Sequence, residues 1–264
     1  MITAGIDAGS RAIKLVLWDT EEQRIVASHT RDQGIAQEQL ALDLLGAALD
    51  QARLPREAVT RMVATGYGRH LLRFADTTIT EITCHARGVR QLAPDARTVI
   101  EIGGQDSKLI RVDANGTVRD FSMNDRCAAG TGRFLEMVAQ RLNIPLDKIG
   151  DLARASRHPA AISSMCVVFA ETEIVGLLAS GVPPEDIVAG IQASVASRVA
   201  AMAGRHLDEP VYFTGGVALI PGMAKALEAV LHRPVITISA PLLTGALGAA
   251  ILARDRGRSD PPYS

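Results

Sequence analysis

The chain has 264 residues, of which 47% are hydrophobic, 22% charged and only 3% aromatic, and its formal net charge is −1. This composition is typical of a globular protein with one large domain or two lobes, and it gives no electrostatic or stacking reason to expect a nucleic-acid partner. No apolar stretch is long enough to span a bilayer and the start lacks a signal-peptide pattern, so we expect a cytoplasmic protein without membrane contact.

The first part of the chain predicts a three-stranded β-meander followed by helices and strands in alternation. Short strands with tight turns are expected in ITAGIDAGS, AIKLVLWDT and RIVASHT. The segment AQEQLALDLLGAALDQARL is apolar at helical spacing, VTRMVATGYG reads as a strand that ends in glycines, and EITCHARGVRQLA predicts a second helix.

The same pattern then begins again. TVIEIGGQDSKLIRVDANGTVRDFSM predicts strand, glycine turn, strand, Asn-Gly hairpin and strand, and helices follow. Later segments predict a strand with a Gly-Gly turn in PVYFTGGVAL, a helix in PGMAKALEAVLH, a strand in PVITIS and a closing helix in TGALGAAILARDR. We therefore predict an α/β fold duplicated at the level of architecture, with lobes at 1–95 and 96–243 and a closing helix and tail at 244–264.

Glycine turns with adjacent carboxylates suggest nucleotide binding. The first turn contains Asp7, Gly9, Ser10 and Lys14, and the second contains Glu101, Gly103, Gly104, Gln105, Asp106 and Lys108. Glycine lets backbone N–H groups approach phosphate oxygens, and a carboxylate at a strand end can hold hydrated Mg²⁺. One such turn is common in any β-protein, but two at equivalent positions and a third Gly-Gly at 215–216 favour a nucleotide site. The motifs of Walker A loops and Rossmann folds are missing.

These segments carry a family resemblance. GIDAGSRAIKLVL, IEIGGQDSK and YFTGGVAL resemble the phosphate-1, phosphate-2 and adenosine elements of the acetate kinase/sugar kinase/Hsc70/actin superfamily. Within it, ATGYGR, EITCHA, NDRCAAGTGRFLE, ISSMCVVFAETE and GALGAA resemble the BadF/BadG/BcrA/BcrD type of ATPase/activator. The resemblance covers nearly the whole chain. It implies two ribonuclease-H-like lobes with an ATP cleft between them, and a role as a 2-hydroxyacyl-CoA dehydratase activator or a benzoyl-CoA reductase ATPase subunit.

The three cysteines do not suggest a disulfide framework, because their number is odd and the chain looks cytosolic. Cys84 falls within a helix pattern and is most simply a core residue. Cys127 and Cys166 each precede an amphipathic segment, near a helix N-terminus that lowers a thiol pKa. Either thiol alone would read as a small buried hydrophobe. Two in matching positions favour a ligand role, and the resemblance strengthens it.

Two thiolates per chain cannot complete a four-thiolate iron–sulfur site, but two chains can. We therefore expect one [4Fe–4S] cluster per dimer, bound by Cys127 and Cys166 of each protomer, as the resemblance also implies. The dimer partner would be a second copy or a related ATPase subunit. Four helix N-termini directed at the cluster would stabilise its reduced form.

The resemblance also implies roles for the turn residues. Asp7 and Asp106 are expected at Mg²⁺ or its waters, and Gln105 is expected to contact phosphate and to orient the attacking water. The remaining candidates for binding ATP are Gly9, Ser10, Arg11, Ala12, Lys14, Gly103, Gly104, Gly215 and Gly216. Glu101 stands where the family usually has aspartate, so its carboxylate extends one methylene group further.

Together these features predict an ATP-hydrolysing electron-transfer protein. The reduced, ATP-loaded dimer would pass one low-potential electron to a dehydratase or reductase acting on a CoA ester, after reduction by ferredoxin or flavodoxin. The type of partner stays open at this point. A metabolite kinase of the same superfamily is one alternative, and a nucleotide-sensing regulator without a cluster is another.

Overall fold

The computed structural model describes residues 1–163, 166–204 and 207–255, so the predicted tail beyond residue 255 lies outside the described residues. Two compact units are present. The first comprises Met1–Asp95, Val112–Val118 and the chain from Leu242, and the second comprises Ala96–Arg111 and Arg119–Pro241. The predicted lobe limits at residues 95 and 243 stay predictions, while the contacts group the hairpin at 112–118 with the first unit.

Ten strands and eight α-helices make up the described chain. The strands are β1 (Ile2–Ala8), β2 (Ala12–Asp19), β3 (Arg24–Asp32), β4 (Val59–Thr65), β5 (Thr77–Thr78), β6 (Thr98–Ile102), β7 (Ser107–Val112), β8 (Val118–Asn124), β9 (Val211–Thr214) and β10 (Val235–Thr237). The helices are α1 (Gln37–Ala52), α2 (Glu81–Leu92), α3 (Gly132–Leu142), α4 (Ile149–Arg154), α5 (Val167–Ala179), α6 (Pro184–Ala203), α7 (Met223–Leu231) and α8 (Thr244–Asp255).

The two sheets share one topology, which confirms the predicted α/β duplication. Their orders are β3-β2-β1-β4-β5 and β8-β7-β6-β9-β10. In each, the first strand pairs antiparallel with the second and parallel with the fourth. The meander therefore places its first turn at one end of the sheet, and the parallel fourth strand ends at that same edge. Such an edge collects the turns that follow β1 and β4, or β6 and β9.

Unit 1 is held together by close backbone contacts of α8. An added methyl group at Gly5 would lie 2.0 Å from the carbonyl oxygen of Ala246, so β1 and α8 touch through a glycine. Similar groups at Gly88 and Gly248 would lie 1.9 Å from the oxygen of Thr244 and 1.8 Å from that of Cys84. The small residues of the closing helix thus let α8 pack directly on β1 and α2.

Unit 2 has its own core, in which α6 is the longest helix. Ile187, Ile191, Val195 and Val199 recur every four residues along α6 and are fully buried. They pack with Phe134 and other apolar side chains of α3 and the sheet. This core fixes α3 and the segment before it. Among the described residues, no helix combines the length and apolarity needed to cross a membrane.

Candidate functional site

The first glycine turn places a buried carboxylate beside a lysine. Asp7 is 4% exposed at the end of β1. Lys14 lies directly opposite on β2, and its Nζ is 3.3 Å from Oδ2 of Asp7. Pairing with the ammonium group compensates for burial of the carboxylate. Lys14, for which an exposed strand position was the alternative, is therefore brought next to the predicted catalytic Asp7.

Gln33 orders the backbone of this turn, a role that the sequence pattern did not indicate. The N–H of Gly9 donates to the oxygen of Ala12 at 3.1 Å. The amide side chain of Gln33 donates to the oxygen of Gly9 at 2.8 Å, and its backbone N–H donates to the oxygen of Arg11 at 2.9 Å. Because the carbonyl groups of Gly9 and Arg11 both accept hydrogen bonds from Gln33, the loop around Ser10 is held in one conformation.

Two glycines from distant segments pack against the Asp7 carboxylate. Gly66, in ATGYGR, has φ +86°, and an added methyl group there would lie 2.4 Å from Oδ1 of Asp7. A methyl group at Gly245 would lie 3.1 Å from Oδ2 of Asp7 and 3.2 Å from Nε2 of His85. The other ring nitrogen of His85 is 2.9 Å from the hydroxyl of Thr244. The glycines of these two motifs thus leave room for a carboxylate with a fixed orientation.

The second turn carries a buried charge cluster. Nζ of Lys108 donates to Oε2 of Glu101 at 2.8 Å and to Oδ2 of Asp106 at 2.7 Å. The turn closes with a hydrogen bond of 3.0 Å from the N–H of Gly103 to the oxygen of Asp106. The predicted residues Gly103, Gly104, Gln105 and Asp106 therefore form one tight loop, with Lys108 beneath it.

The third turn meets the second one within unit 2. Gly215 has φ +89°, and an added methyl group would lie 2.4 Å from the oxygen of Ile102 and 2.6 Å from Oε1 of Glu101. Its N–H donates to the oxygen of Pro241 at 3.0 Å. Gly216 begins a short 3-10 helix that ends at Leu219. The predicted phosphate-2 and adenosine elements of this unit are thus in direct contact.

The second turn is also hydrogen-bonded to the start of α3. The N–H of Gly132 donates to the oxygen of Gly103 at 2.9 Å, and the N–H of Arg133 donates to that of Gly104 at 2.8 Å. First-turn amides have no partner inside their own helix. Here the carbonyl groups of Gly103 and Gly104 satisfy two of them, so α3 and the predicted phosphate-2 loop are joined by hydrogen bonds.

Cys127 lies five residues before α3 and caps a short 3-10 helix at Ala128–Gly130. The thiol residue is half-buried against the core of unit 2. Asn124 holds its backbone on both sides: its Oδ1 accepts from the N–H of Cys127 at 3.0 Å, and its Nδ2 donates to the oxygen at 2.7 Å. The cysteine is therefore positioned by Asn124, at the end of β8.

Cys166 is exposed and is the N-cap residue of α5. The acidic residues of α5 anchor this helix, because Glu171 pairs with Arg141 of α3 and Glu173 accepts from the N–H and hydroxyl of Ser163 at 2.8 and 2.7 Å. Both predicted cluster cysteines thus precede helices at the surface of unit 2. Two accessible thiols per chain fit the half-site that a shared four-thiolate cluster requires.

Cys84 differs from the other two cysteines. Its side chain is fully buried in unit 1, and burial raises the pKa of its thiol to about 12. At neutral pH it is protonated and enclosed by apolar groups, as expected for a core residue. The described residues contain no group of three or more His, Cys, Asp and Glu side chains that could hold a metal ion. The described part of one chain thus contains no complete ligand set of this kind.

Alkylation should distinguish the three thiols. In cluster-free, reduced protein at pH 8, we expect iodoacetamide to modify Cys127 and Cys166 rapidly and Cys84 only after unfolding, because alkylation requires an accessible thiolate. Peptide mass spectrometry over time gives the three rates. Modification of Cys84 in the native protein at the rate of the other two would contradict its assignment to the core.

Comparison with known proteins gives consistent matches along the whole chain. The model of the BadF/BadG/BcrA/BcrD ATPase family matches residues 4–253. The activator of lactoyl-CoA dehydratase from Anaerotignum propionicum is 44% identical over 255 residues, which are 96% of this chain and 97% of that protein. A subunit of benzoyl-CoA reductase from Thauera aromatica is 35% identical over 261 residues, or 95% of this chain and 92% of that one.

A solved structure matches equally well. The activator of the 2-hydroxyisocaproyl-CoA dehydratase from Clostridium difficile, with bound ADPNP, has a TM-score of 0.90 and 39% sequence identity, with full coverage of both chains. The fold is that of the actin-like ATPases, with two mixed-sheet α/β lobes, as the resemblance implied.

Proposed function

Because the chain belongs to the BadF/BadG/BcrA/BcrD ATPase family, we propose that it is an ATP-dependent activator that delivers single electrons to an enzyme acting on a CoA ester. One observation carries the proposal: the phosphate-2 loop is hydrogen-bonded to the start of α3, five residues after Cys127. Cys127, a candidate cluster ligand, thus lies in a segment whose end is hydrogen-bonded to the predicted phosphate loop.

ATP would be bound by the glycine turns. The turn amides of Gly9, Ser10, Gly103 and Gly104 would contact its phosphates, and Gly215 and Gly216 would give the adenosine close access to the backbone. Arg11, Ala12 and Lys14 border the first turn. Asp7 and Asp106 supply the carboxylates for hydrated Mg²⁺, and Gln105 would orient the attacking water.

Cys127 and Cys166 would provide two ligands of the cluster, and the same two residues of a second copy would provide the other two. A bound [4Fe–4S] cluster supplies a one-electron centre of low potential. The surface beside Cys166 suits a second copy, because Val168 and Phe169 are 69% and 70% exposed on an apolar helix that buries only Ala170 and Ile174. Large exposed apolar side chains of this kind mark interaction surfaces.

The hydrogen bonds around the loop suggest how nucleotide binding would reach Cys127. A shift of Gly103 or Gly104 towards a phosphate would carry the amides of Gly132 and Arg133 with it. Asn124 ties the backbone of Cys127 to the end of β8. A displacement of α3 would therefore change the position of α3 relative to Cys127. The thiolate would then change its orientation with the nucleotide state.

A dehydratase is the partner that we propose first. The identity to the lactoyl-CoA dehydratase activator is 44%, compared with 35% to the benzoyl-CoA reductase subunit, over similar shares of the chain. The electron donor would be a ferredoxin or a flavodoxin, as in the expectation from the family. The substrate chemistry would belong entirely to the partner enzyme.

Anaerobic purification tests the proposal. We expect a brown dimer with about four iron atoms, whose electron transfer to a dehydratase component requires hydrolysable ATP. Iron analysis, absorption spectra and reduction of the partner with ATP or ADPNP give the result. A colourless, iron-free protein with full ATP turnover would overturn the activator assignment and favour a metabolite kinase.

A further inference from the structure

Lys108 occupies an unusual position for a lysine. It is 2% exposed, whereas lysine is rarely buried unless it is paired. Its ammonium group lies between Oε2 of Glu101 at 2.8 Å and Oδ2 of Asp106 at 2.7 Å. Glu101 is its cross-strand partner, and Asp106 precedes it by two residues along the chain. The strand geometry therefore directs both carboxylates at one cation.

The two carboxylates differ in what surrounds them. Glu101 is enclosed: an added methyl group at Gly215 would lie 2.6 Å from its Oε1, and one at Gly103 would lie 3.2 Å from the same atom. Asp106 is more open, since its side chain is 23% exposed, and its Oδ1 lies beside Gly103. Of the two acids on Lys108, Asp106 is thus the one that an incoming cation can approach.

We propose that Lys108 is the positioning residue that orients Asp106 towards the Mg²⁺ of the nucleotide, while Glu101 serves as its permanent counter-ion. This inference rests on the proposed ATP site. Glu101 balances the lysine charge within the protein, and Asp106 adds a second carboxylate on the more exposed side of the lysine. One lysine and two carboxylates carry a net charge of −1, which favours Mg²⁺.

The longer side chain of Glu101 has a clear place in this arrangement. Its Oε2 reaches Lys108 while its Oε1 rests against Gly215. The acid at this position thus faces the lysine and the third turn, and Asp106 takes over the side open to the cation. The departure from the family's usual aspartate is thereby accounted for without a direct contact between Glu101 and Mg²⁺.

A purely structural role makes a different prediction from a positioning role. If Lys108 only neutralises the buried Glu101, removing both charges together restores the folding and the Mg²⁺ binding that either single change disturbs. If Lys108 also orients Asp106, the double variant is stable, but the lysine no longer orients the Asp106 carboxylate. Removing one partner of a buried pair is strongly destabilising, whereas replacing both is often tolerated. The double variant therefore separates the two roles.

The experiment compares Glu101→Gln, Lys108→Met and their combination, with Glu101→Gln/Lys108→Gln as a second charge-free pair. The probe is ADPNP, titrated with Mg²⁺ and with EDTA, and thermal unfolding reports folding. We expect both double variants to fold and to bind metal-free ADPNP like the wild type. The gain in affinity on adding Mg²⁺ should be about tenfold smaller than in the wild type.

Glu101→Gln alone keeps the contact between Lys108 and Asp106 but brings the net charge of the three side chains to zero, so its smaller gain from Mg²⁺ measures the effect of charge. Both double variants restore a net charge of −1, so a gain that stays small in them is due to the lost orientation of Asp106. A folded double variant with the full wild-type gain would overturn the role of Lys108 and leave the proposed function intact. Wild-type protein that binds no ADPNP would overturn the proposed function itself, and this inference with it.

Discussion

Replacement of Cys127 or Cys166 by serine is expected to abolish the iron–sulfur cluster and to lower ATP-dependent electron transfer by more than about 100-fold. Each change removes one thiolate from both protomers, so a dimer keeps two of the four ligands. Serine has a similar size, but its hydroxyl group is a much poorer ligand of iron than a thiolate. Iron content, absorption spectra and electron transfer to the partner measure the loss.

The two cysteines should differ in their secondary effects. Cys166 is exposed on an apolar helix, so its variant should have the same unfolding temperature as the wild type when both are compared without the cluster. Cys127 packs against the core of unit 2 and is held by Asn124, so its variant should cost a modest amount of stability. ADPNP binding should survive in both, because neither residue belongs to a glycine turn.

Cys84→Ala is the matched control for these variants. It also removes a thiol, but from a buried position in unit 1 where the pKa of about 12 keeps the group protonated. We expect a small loss of stability and a full iron content. An iron-free Cys84→Ala protein, or a brown Cys166→Ser protein, would contradict the assignment of the ligands.

Much of the fold follows from local sequence patterns. The apolar strands and the Gly and Asn-Gly turns predicted both meanders, and Gly116 does adopt the left-handed conformation expected of the hairpin, with φ +84°. The repeated order of segments predicted the duplication, which the two equivalent sheets confirm. Hydrophobic patterns with a period of two residues, or of between three and four, are local, so they can be recognised without a structure.

The supporting contacts of the site were not predictable in the same way. Gln33 on Gly9, Gly245 on Asp7 and Asn124 on Cys127 each depend on how the chain folds around the turn. The first two join segments that are distant along the chain, and the third depends on the path of a loop. A polar side chain in a strand or loop carries no sign of its partner in the sequence. Lys108 was visible in the motif, but its burial between two acids was not.

Asp7→Asn is expected to lower the turnover number for ATP by about 100-fold or more, since removal of one aligned electrostatic group typically has an effect of this size. Asparagine preserves the shape of the side chain, which Gly66 and Gly245 enclose closely. It removes the negative charge that balances Lys14 and that would hold hydrated Mg²⁺. We therefore expect the loss in kcat, with binding of metal-free ADPNP retained.

Asp19→Asn is the control, because Asp19 lies at the opposite end of the same β-hairpin. It pairs with Ile2 in the register, whereas Asp7 pairs with Lys14. Its carboxylate accepts from the backbone N–H of Glu21 at 2.9 Å, away from the glycine turns of the proposed site. Full ATP turnover in Asp7→Asn, or equal losses in the two variants, would contradict the role of Asp7.

The two sets of variants should fail in opposite ways. Asp7→Asn should retain the iron of the wild type, because its position is in unit 1, whereas the proposed ligands Cys127 and Cys166 are in unit 2. The reduced Asp7→Asn protein should then keep its electron, because ATP no longer drives electron transfer to the partner. The serine variants should still hydrolyse ATP but have no electron to deliver. Loss of ATP turnover in the serine variants would contradict this separation and would mean that the cluster supports the second glycine turn, which lies in unit 2 with Cys127 and Cys166.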